Sequence, residues 1–222
     1  MLKKENIIVL LSGGMDSAVL LWLSKTMFKD VYTISYSYGQ KHSIELEYAK
    51  ELSKIAGVKE HFIVEVPHLK QLKGSALTDE NLEIPSENYP DEPPITTVPM
   101  RNLIFLSIAA SFADVYEIEN IGIGIHSLDS PYPDCRAEFA SSAEAVINAS
   151  SVMVAKKKNR IKIFTPFLGM SKTDIAKLGR ELGVPFEKTY SCYKGIVPPC
   201  GECATCRQRE EALREAFSDT TA

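Results

Sequence analysis

Residues 6–17 read NIIVLLSGGMDS, an apolar run that changes into a glycine pair and then into an amphipathic stretch. This pattern predicts a buried strand, a tight turn and a helix that begins near Asp16. Gly13 and Gly14 permit positive φ angles and a close backbone approach, and the first N–H groups of the helix point back at the turn. The loop is therefore predicted to bind an anion, and a phosphate suits it.

The same stretch lacks the Lys-Ser or Lys-Thr pair that ends the common P-loop, so no lysine of the loop reaches the outer phosphates of a nucleotide. A nucleotide is expected to be held here in another way. A simpler interpretation stays open, in which Ser12 caps the helix and Asp16 is a favourable charge in the first turn.

Size and composition limit the classes of protein. The 222 residues, 45% of them hydrophobic, suffice for one α/β domain with a small appendage. A formal net charge of -4 argues against direct binding of nucleic acid, which needs clustered positive charge, and favours a small-molecule substrate. The first apolar run is interrupted by Gly-Gly-Met-Asp, so no signal peptide and no membrane partner are expected. The expected location is the cytoplasm.

Apolar runs alternate with segments of helical period along the chain. Strands are predicted at residues 7–11, 31–36, 61–66, 120–125 and 161–164, and helices at residues 16–28, 43–56, 102–115, 137–154 and 172–182. That order predicts a Rossmann-like parallel sheet with helices on both faces. The acidic, proline-rich connection at 68–98 is either a lid or partner-contact loop or a plain surface insertion.

Five polar strings each follow a predicted strand. They are SGG at 12–14, YGQKH at 38–42, PMRN at 99–102, HSLDSPYPDCR at 126–136 and GMSK at 169–172. Because the carboxyl ends of parallel strands form the ligand crevice of an open sheet, the five strings are predicted to converge on one site.

The SGGxDS string resembles the pyrophosphate loop of the N-type ATP pyrophosphatases, the PP-loop proteins, which bind ATP by its phosphates and activate a carbonyl oxygen by adenylylation. The resemblance implies an adenine nucleotide alpha hydrolase-like fold, a Mg2+ ion held with the help of Asp16, and a phosphate contact from Lys172. It also implies ATP binding by Leu10, Leu11, Ser12, Gly13, Gly14, Met15, Asp16, Ser17 and Ala18.

The combination of SGGMDS, YGQKH, VPMRN, YPDCR, SKTDI and a C-terminal cysteine set resembles the 7-cyano-7-deazaguanine synthases from residue 7 to about residue 207. This resemblance implies that 7-carboxy-7-deazaguanine and ammonia become a nitrile, through an acyl adenylate and an amide, in deazapurine biosynthesis of the queuosine or archaeosine type. A homodimer is expected as well. Met100, Pro131 and the pair His126-Ser127 depart from the family pattern, which affects the expected substrate pocket and not the ATP loop.

Side-chain chemistry suggests roles for the other polar residues. Arg101, a planar donor suited to a carboxylate or phosphate, joins Asp16 and Lys172 as a predicted catalytic residue. The predicted substrate-binding residues are Arg101, Asn102, Tyr132, Asp134 and Arg136. In that order they offer a guanidinium, an amide, an aromatic face, a carboxylate for guanine-like N–H donors and a guanidinium for the 7-carboxylate. Helix capping by Asn102 or Asp134 is the structural alternative.

The C-terminal region has Cys192, Cys200, Cys203 and Cys206 in a C-x7-C-x2-C-x2-C pattern. Four thiolates at this spacing predict a closed, structural zinc site. An iron–sulfur cluster is the alternative, and zinc is favoured because acyl activation needs no electron transfer. Cys135 stands apart, and a buried, inert thiol is a simpler interpretation of it than a nucleophile.

The sequence thus predicts an α/β domain at 1–187 and a zinc-binding subdomain at 188–222. Two other functions stay open. A related ATP pyrophosphatase, such as a tRNA sulfurtransferase or an amide ligase, would share the first loop and lack the YPDCR string. A noncatalytic zinc-knuckle binding module would not turn over ATP.

Overall fold

A computed structural model describes residues 5–79, 81–84, 93–156 and 158–218 of the chain. The strands are β1 Ile7–Leu10, β2 Val31–Ser37, β3 Glu60–Glu65, β4 Asn120–Gly122 and β5 Lys162–Phe164. The helices are α1 Met15–Met27, α2 Glu45–Ala56, α3 His68–Gln71, α4 Arg101–Tyr116, α5 Ala137–Ser150, α6 Val152–Ala155, α7 Lys172–Glu181 and α8 Ala204–Ser218.

The described strands form one sheet in the order β3-β2-β1-β4-β5, and every neighbouring pair is parallel. This confirms the predicted α/β class. The chain runs outward from β1 to β3 and then returns to the other side of β1, so the strand order reverses between β1 and β4. In open α/β sheets such a reversal opens a crevice at the carboxyl ends of the strands.

Most predicted elements are found with ends shifted by one or two residues. β4 is shorter than predicted, ending at Gly122 because its partner β5 ends at Phe164. The single helix predicted at 137–154 is wrong: Ser151 has extended backbone angles, which separate α5 from α6, and its side chain accepts a hydrogen bond from the Val154 N–H. Helix α8 was not predicted from the sequence.

The core lies on both faces of the sheet because successive strand residues point to opposite sides. Ile8 and Leu10 of β1 pack in one buried cluster, which includes residues of α4 and α5. Ile7 and Val9 pack in the other cluster with α1, α7 and α8. Burying one such side chain fully is worth about 1.5–3 kcal/mol relative to leaving it exposed.

The C-terminal segment joins this core instead of lying apart from it. Ala212 and Ala216 of α8 are fully buried in the cluster that holds α1 and α7, and the Arg209 guanidinium donates a hydrogen bond to the Phe186 carbonyl oxygen. Small side chains let α8 approach α7 closely. None of the helices in the described ranges combines the length and apolar character needed to cross a membrane.

Parts of the long connection at 68–98 border the crevice. Leu77 and Thr96 line it, and the Thr96 hydroxyl is hydrogen-bonded to the Tyr132 hydroxyl at 2.7 Å. The proposed lid function of this connection involves residues 80 and 85–92, which lie outside the described residues.

Candidate active site

A cleft of about 270 Å3 opens at the carboxyl edge of the sheet, beside the point where the strand order reverses. Residues from all five polar strings line it, so the predicted convergence is found. The lining from these strings includes Ser12, Gly14, Tyr38, His42, Arg101, Asn102, His126, Asp129, Tyr132, Cys135 and Lys172.

The glycine loop, residues 12–17, is folded by its own serines. The Gly14 N–H donates to the Ser12 hydroxyl at 3.2 Å, and the two hydroxyls of Ser12 and Ser17 lie 3.0 Å apart. Gly13 has a φ of +87°, as expected, whereas Gly14 has a φ of −76° and needs no positive angle. The helix begins at Met15, and Ser12 is not its N-cap residue, which is Gly14.

The nine predicted ATP-binding residues divide into two sets. Leu10, Leu11, Ser12, Gly14, Asp16 and Ser17 line the cleft. Met15 and Ala18 have fully buried side chains in the core, and Gly13 packs against α2, where an added Cβ would lie 2.3 Å from the Glu45 carbonyl oxygen. These three shape the loop from behind.

Asp16 lies between two groups from other strand ends. The Lys172 Nζ is 3.3 Å from its Oδ2 atom and the His126 Nε2 is 3.7 Å from the same atom. Burial alone would raise the pKa of Asp16, but Lys172 and His126 outweigh it and hold the pKa well below its usual range. The low pKa keeps this carboxylate ionised at neutral pH. Its buried Oδ1 atom has no hydrogen-bond partner in the described chain, so that oxygen is available to ligate a cation.

Lys172 is placed by a capped helix. Ser171 and Asp174 form a capping box at the start of α7, and Lys172 is its first residue, with only 9% of its surface exposed. A positive charge is unfavourable at a helix N-terminus, and the Asp16 carboxylate is the anion that the structure sets beside it.

Asp129 is a second acid at this end of the cleft, and it was not among the residues predicted from the sequence. Its Oδ2 atom accepts a hydrogen bond from the His126 N–H at 3.1 Å and lies 3.5 Å from the His126 Nε2. Burial raises the pKa of Asp129, and His126 and Lys172 only partly oppose this. The HSLD string after β4 was the signal available for it.

Arg101 defines the other end of the cleft, at the start of α4. Its guanidinium interacts electrostatically with the hydroxyl groups of Tyr38 and Tyr193. Burial raises the pKa of Tyr38 to about 12, so the tyrosine is neutral and Arg101 keeps its charge for another anion. The Tyr36 and Phe105 rings, stacked 4.0 Å apart between centroids, add an aromatic wall.

Asn102 and Asp134 form most of their hydrogen bonds with each other. The Asn102 backbone N–H donates to the Asp134 carboxylate at 2.9 Å, and the Asn102 amide donates to the Asp134 carbonyl oxygen and to the Cys135 sulfur. Asp134 thus caps α4, not the helix that follows it in sequence. Burial raises the pKa of Cys135, which fits an inert thiol.

Arg136 lies outside the cleft lining, as does Asp134. Its side chain is exposed, and its Nε donates to the Ser130 carbonyl oxygen at 2.8 Å. Tyr132, in contrast, does line the cleft. Arg101 is therefore the guanidinium that the structure places toward a ligand.

His42 and Glu45 form a polar pair that was not predicted from the sequence. The His42 Nε2 lies 3.5 Å from the Glu45 Oε2, and both side chains line the cleft. Burial lowers the pKa of His42 to about 4 and raises the pKa of Glu45 to about 8. The YGQKH string was the sequence signal for His42, whereas Glu45 lies beyond that string, in the predicted helix at 43–56, where no motif marked it.

The four cysteines of the predicted metal site lie together, with all four sulfur atoms within 4.8 Å of one another. Three of them, Cys192, Cys203 and Cys206, are buried. The Cys200 N–H points at the Cys192 sulfur and the Cys203 N–H at the Cys200 sulfur, at 3.5 and 3.4 Å. Four converging thiols with N–H groups directed at sulfur suit a tetrahedral thiolate site.

The cysteine cluster is linked to the glycine loop. The Tyr190 N–H donates to the Gly13 carbonyl oxygen at 2.9 Å, two residues before Cys192. Tyr190, Tyr193 and Thr205 line the cleft beside the cluster. The cluster therefore fixes one wall of the cleft without placing a cysteine of its own in the lining.

The sheet, the glycine loop at its reversal point and the charged groups around Asp16 define a nucleotide-binding α/β protein. A family model described as queuosine biosynthesis protein QueC matches residues 6–217, and the chain belongs to this family. It is 99% identical over 221 residues to a protein of Sulfurihydrogenibium sp. (strain YO3AOP1) named 7-cyano-7-deazaguanine synthase, with 100% of both chains covered.

A protein of Persephonella marina with the same name is 73% identical, over 96% of this chain and 94% of that one. Among solved structures, NMN synthetase from Francisella tularensis has a TM-score of 0.52 at 12% identity, covering 99% of this chain and 86% of that one. At this identity the likeness concerns the fold alone. The resemblance drawn from the sequence motifs is thus confirmed at the level of the family.

Proposed function

We propose that this protein converts 7-carboxy-7-deazaguanine and ammonia into 7-cyano-7-deazaguanine with the consumption of ATP. One observation carries the proposal: the ionised Asp16 with its free Oδ1, paired with Lys172, lies directly behind a phosphate-type loop in the cleft. Membership of the QueC family and relatives that bear the name of this synthase support the choice of substrate.

The reaction needs two activations of one carbon. A carboxylate oxygen of the substrate attacks the α-phosphorus of ATP and releases pyrophosphate. Ammonia then adds to the acyl carbon and AMP leaves, which gives the amide. The amide oxygen then attacks the α-phosphorus of a second ATP and releases a second pyrophosphate, and loss of AMP and of the two amide protons gives the nitrile.

The residues of the cleft have distinct tasks in these steps. The hydroxyls of Ser12 and Ser17 line the cleft and are the donors for the phosphates, while the Gly14 N–H holds the Ser12 side chain in place. Lys172 offsets the charge that grows on the leaving pyrophosphate. Asp16 is the carboxylate that would hold Mg2+, which when bound neutralises phosphate charge. Arg101 orients the substrate carboxylate.

Several finer points belong to the same proposal. The cysteine cluster holds one structural Zn2+, and residues 188–222 form the zinc-binding part of the chain, supported by the convergence of the four sulfur atoms. The hydrogen bonds between Asn102 and Asp134 fix the position of the YPDCR loop against the start of α4. The homodimer and the cytoplasmic location stay predictions, to be tested by sedimentation and cell fractionation.

A direct assay tests the function. Protein, Mg-ATP, ammonium and 7-carboxy-7-deazaguanine are incubated, and the nitrile is sought by mass spectrometry. The wild type is expected to form nitrile and AMP, and Asp16→Asn is expected to form neither. Asp30→Asn is the matched control, because Asp30 pairs with Lys59 on the surface, away from the cleft. Absence of nitrile and AMP with the wild type would refute the assignment.

A further inference from the structure

We propose that Glu45 binds the N–H edge of the guanine-like ring and makes the site selective for rings with a 2-amino group. This inference rests on the proposed function and deepens it. It concerns the YGQKH string and the first residue of α2, for which the activation steps have no use.

The position of Glu45 is fixed from several directions. Its side chain is 14% exposed and lines the cleft, so a ligand can reach the carboxyl group. The Gln40 amide donates to its Oε1 at a long 3.4 Å, and the His42 Nε2 lies 3.5 Å from its Oε2. Gln40 is itself held, since it accepts from the Tyr38 N–H and donates to the Tyr36 carbonyl oxygen.

These contacts leave the carboxyl group under-satisfied. Both distances are at or beyond the upper limit of a good hydrogen bond, and a buried carboxylate is stable only with strong donors. Accordingly, burial raises the pKa of Glu45 to about 8, although Gln40 and Arg101 act in the other direction. A ligand with two adjacent N–H donors would supply what is missing and favour the ionised form.

A guanine-like ring has such a pair of donors, the ring N–H and the exocyclic amine beside it. A carboxylate can accept from both at once. Adenine has an acceptor where guanine has the ring N–H, so the adenine of ATP fits this position poorly. The edge of the substrate ring is therefore the part that matches Glu45.

The surroundings of Glu45 suit a flat ring with a carboxylate substituent. Tyr38, Tyr193 and Phe105 line the same end of the cleft, and Arg101 interacts electrostatically with Glu45. Arg101 can hold the substituent while Glu45 holds the opposite edge. The carboxylate that the sequence suggested for this task, Asp134, is outside the cleft lining and bonded to the Asn102 N–H.

The test compares two ring substrates in one enzyme. 7-carboxy-7-deazaguanine and its analogue without the 2-amino group are each supplied with Mg-ATP and ammonium, and kcat/KM is measured for nitrile formation. The wild type is expected to prefer the guanine-like ring by about tenfold or more. Glu45→Gln is expected to reduce this preference to near unity. The glutamine side chain can accept a hydrogen bond only through its carbonyl oxygen, and its NH2 group is a donor that would face a donor of the ring.

Glu47→Gln is the matched control. Glu47 lies on the same helix, is exposed and pairs with Lys50, so the variant should keep the wild-type preference. ATP binding by calorimetry checks that Glu45→Gln is folded. The inference is overturned if the wild type does not distinguish the two rings, a measurement that needs no variant, or if a folded Glu45→Gln keeps the full preference. Failure of the proposed function would appear separately, as no nitrile from the wild type with either ring.

Discussion

Asp16 is the residue on which the chemistry of the cleft most depends. A buried carboxylate is costly unless it is paired, and here Lys172 and His126 converge on one of its oxygens while the other has no hydrogen-bond partner in the described chain. Asp16, His126 and Lys172 each follow the carboxyl end of a different strand, β1, β4 and β5. The site is therefore an arrangement of the fold and not of one motif.

The two arginines of the predicted substrate set should differ in effect. Arg101→Ala is expected to weaken binding of 7-carboxy-7-deazaguanine by about 1.5–3 kcal/mol, because a charge-assisted hydrogen bond from the cleft is lost. Arg136→Ala is expected to cost less, since the Arg136 side chain is exposed and donates to Ser130. Calorimetry with substrate and separately with ATP measures both.

Equal losses of substrate affinity in the two variants would contradict this ranking and restore the role that the sequence suggested for Arg136. The sequence could place both arginines at strand ends, but it could not tell which one faces the cleft. Side-chain direction depends on the bond between Arg136 and Ser130 and on the pairing of Asn102 with Asp134, and these are contacts that no local pattern records.

At the scale of elements, apolar runs located the five strands, most clearly the inner strands β1, β2 and β4, which are buried on both faces, whereas the edge strands β3 and β5 are partly exposed. Helix α8 lacked such a signal. Its sequence, ATCRQREEALREAFS, is rich in charges, and the face that packs on α7 relies on the small residues Ala212 and Ala216. A glycine pair likewise predicts a turn, but which glycine takes the positive φ depends on how closely α2 approaches it.

Gly13 is where that approach is closest. Gly13→Ala is expected to destabilise the protein and weaken ATP binding, because the new Cβ would lie 2.3 Å from the Glu45 carbonyl oxygen and φ is +87°. Gly57→Ala is the matched control: its φ is +60°, but nothing lies within 4 Å of a Cβ there. It should cost only the left-handed strain of about 1–2 kcal/mol and leave ATP affinity unchanged.

Urea unfolding and ATP calorimetry on both variants separate the two effects. If Gly13→Ala resembled Gly57→Ala in stability and in ATP affinity, the contact between the glycine loop and α2 would not shape the nucleotide site.

At the scale of the whole molecule, the convergence of five polar strings was predictable because parallel topology brings strand ends together. A position of the cysteine cluster near the cleft was also expected, but the detailed geometry of the link between them was not predictable. It depends on the hydrogen bond from Tyr190 to the Gly13 carbonyl oxygen and on the packing of α8 against α7, both formed between distant parts of the chain. Through these contacts the cysteine cluster supports the glycine loop.

Removing the metal should therefore affect ATP binding although no cysteine lines the ATP end of the cleft. We expect one zinc per chain, lost in Cys203→Ser and retained in Cys135→Ser, whose thiol lies outside the cysteine cluster. Zinc loss should speed hydrogen exchange at 188–206 before the sheet, and it should lower ATP affinity because Tyr190 no longer holds Gly13. Metal analysis, hydrogen exchange and calorimetry measure these effects.

Undiminished ATP affinity in a zinc-free Cys203→Ser would show that the cysteine cluster and the cleft are independent. Bound iron with visible charge-transfer absorption would show that the cluster holds an iron–sulfur centre and not zinc.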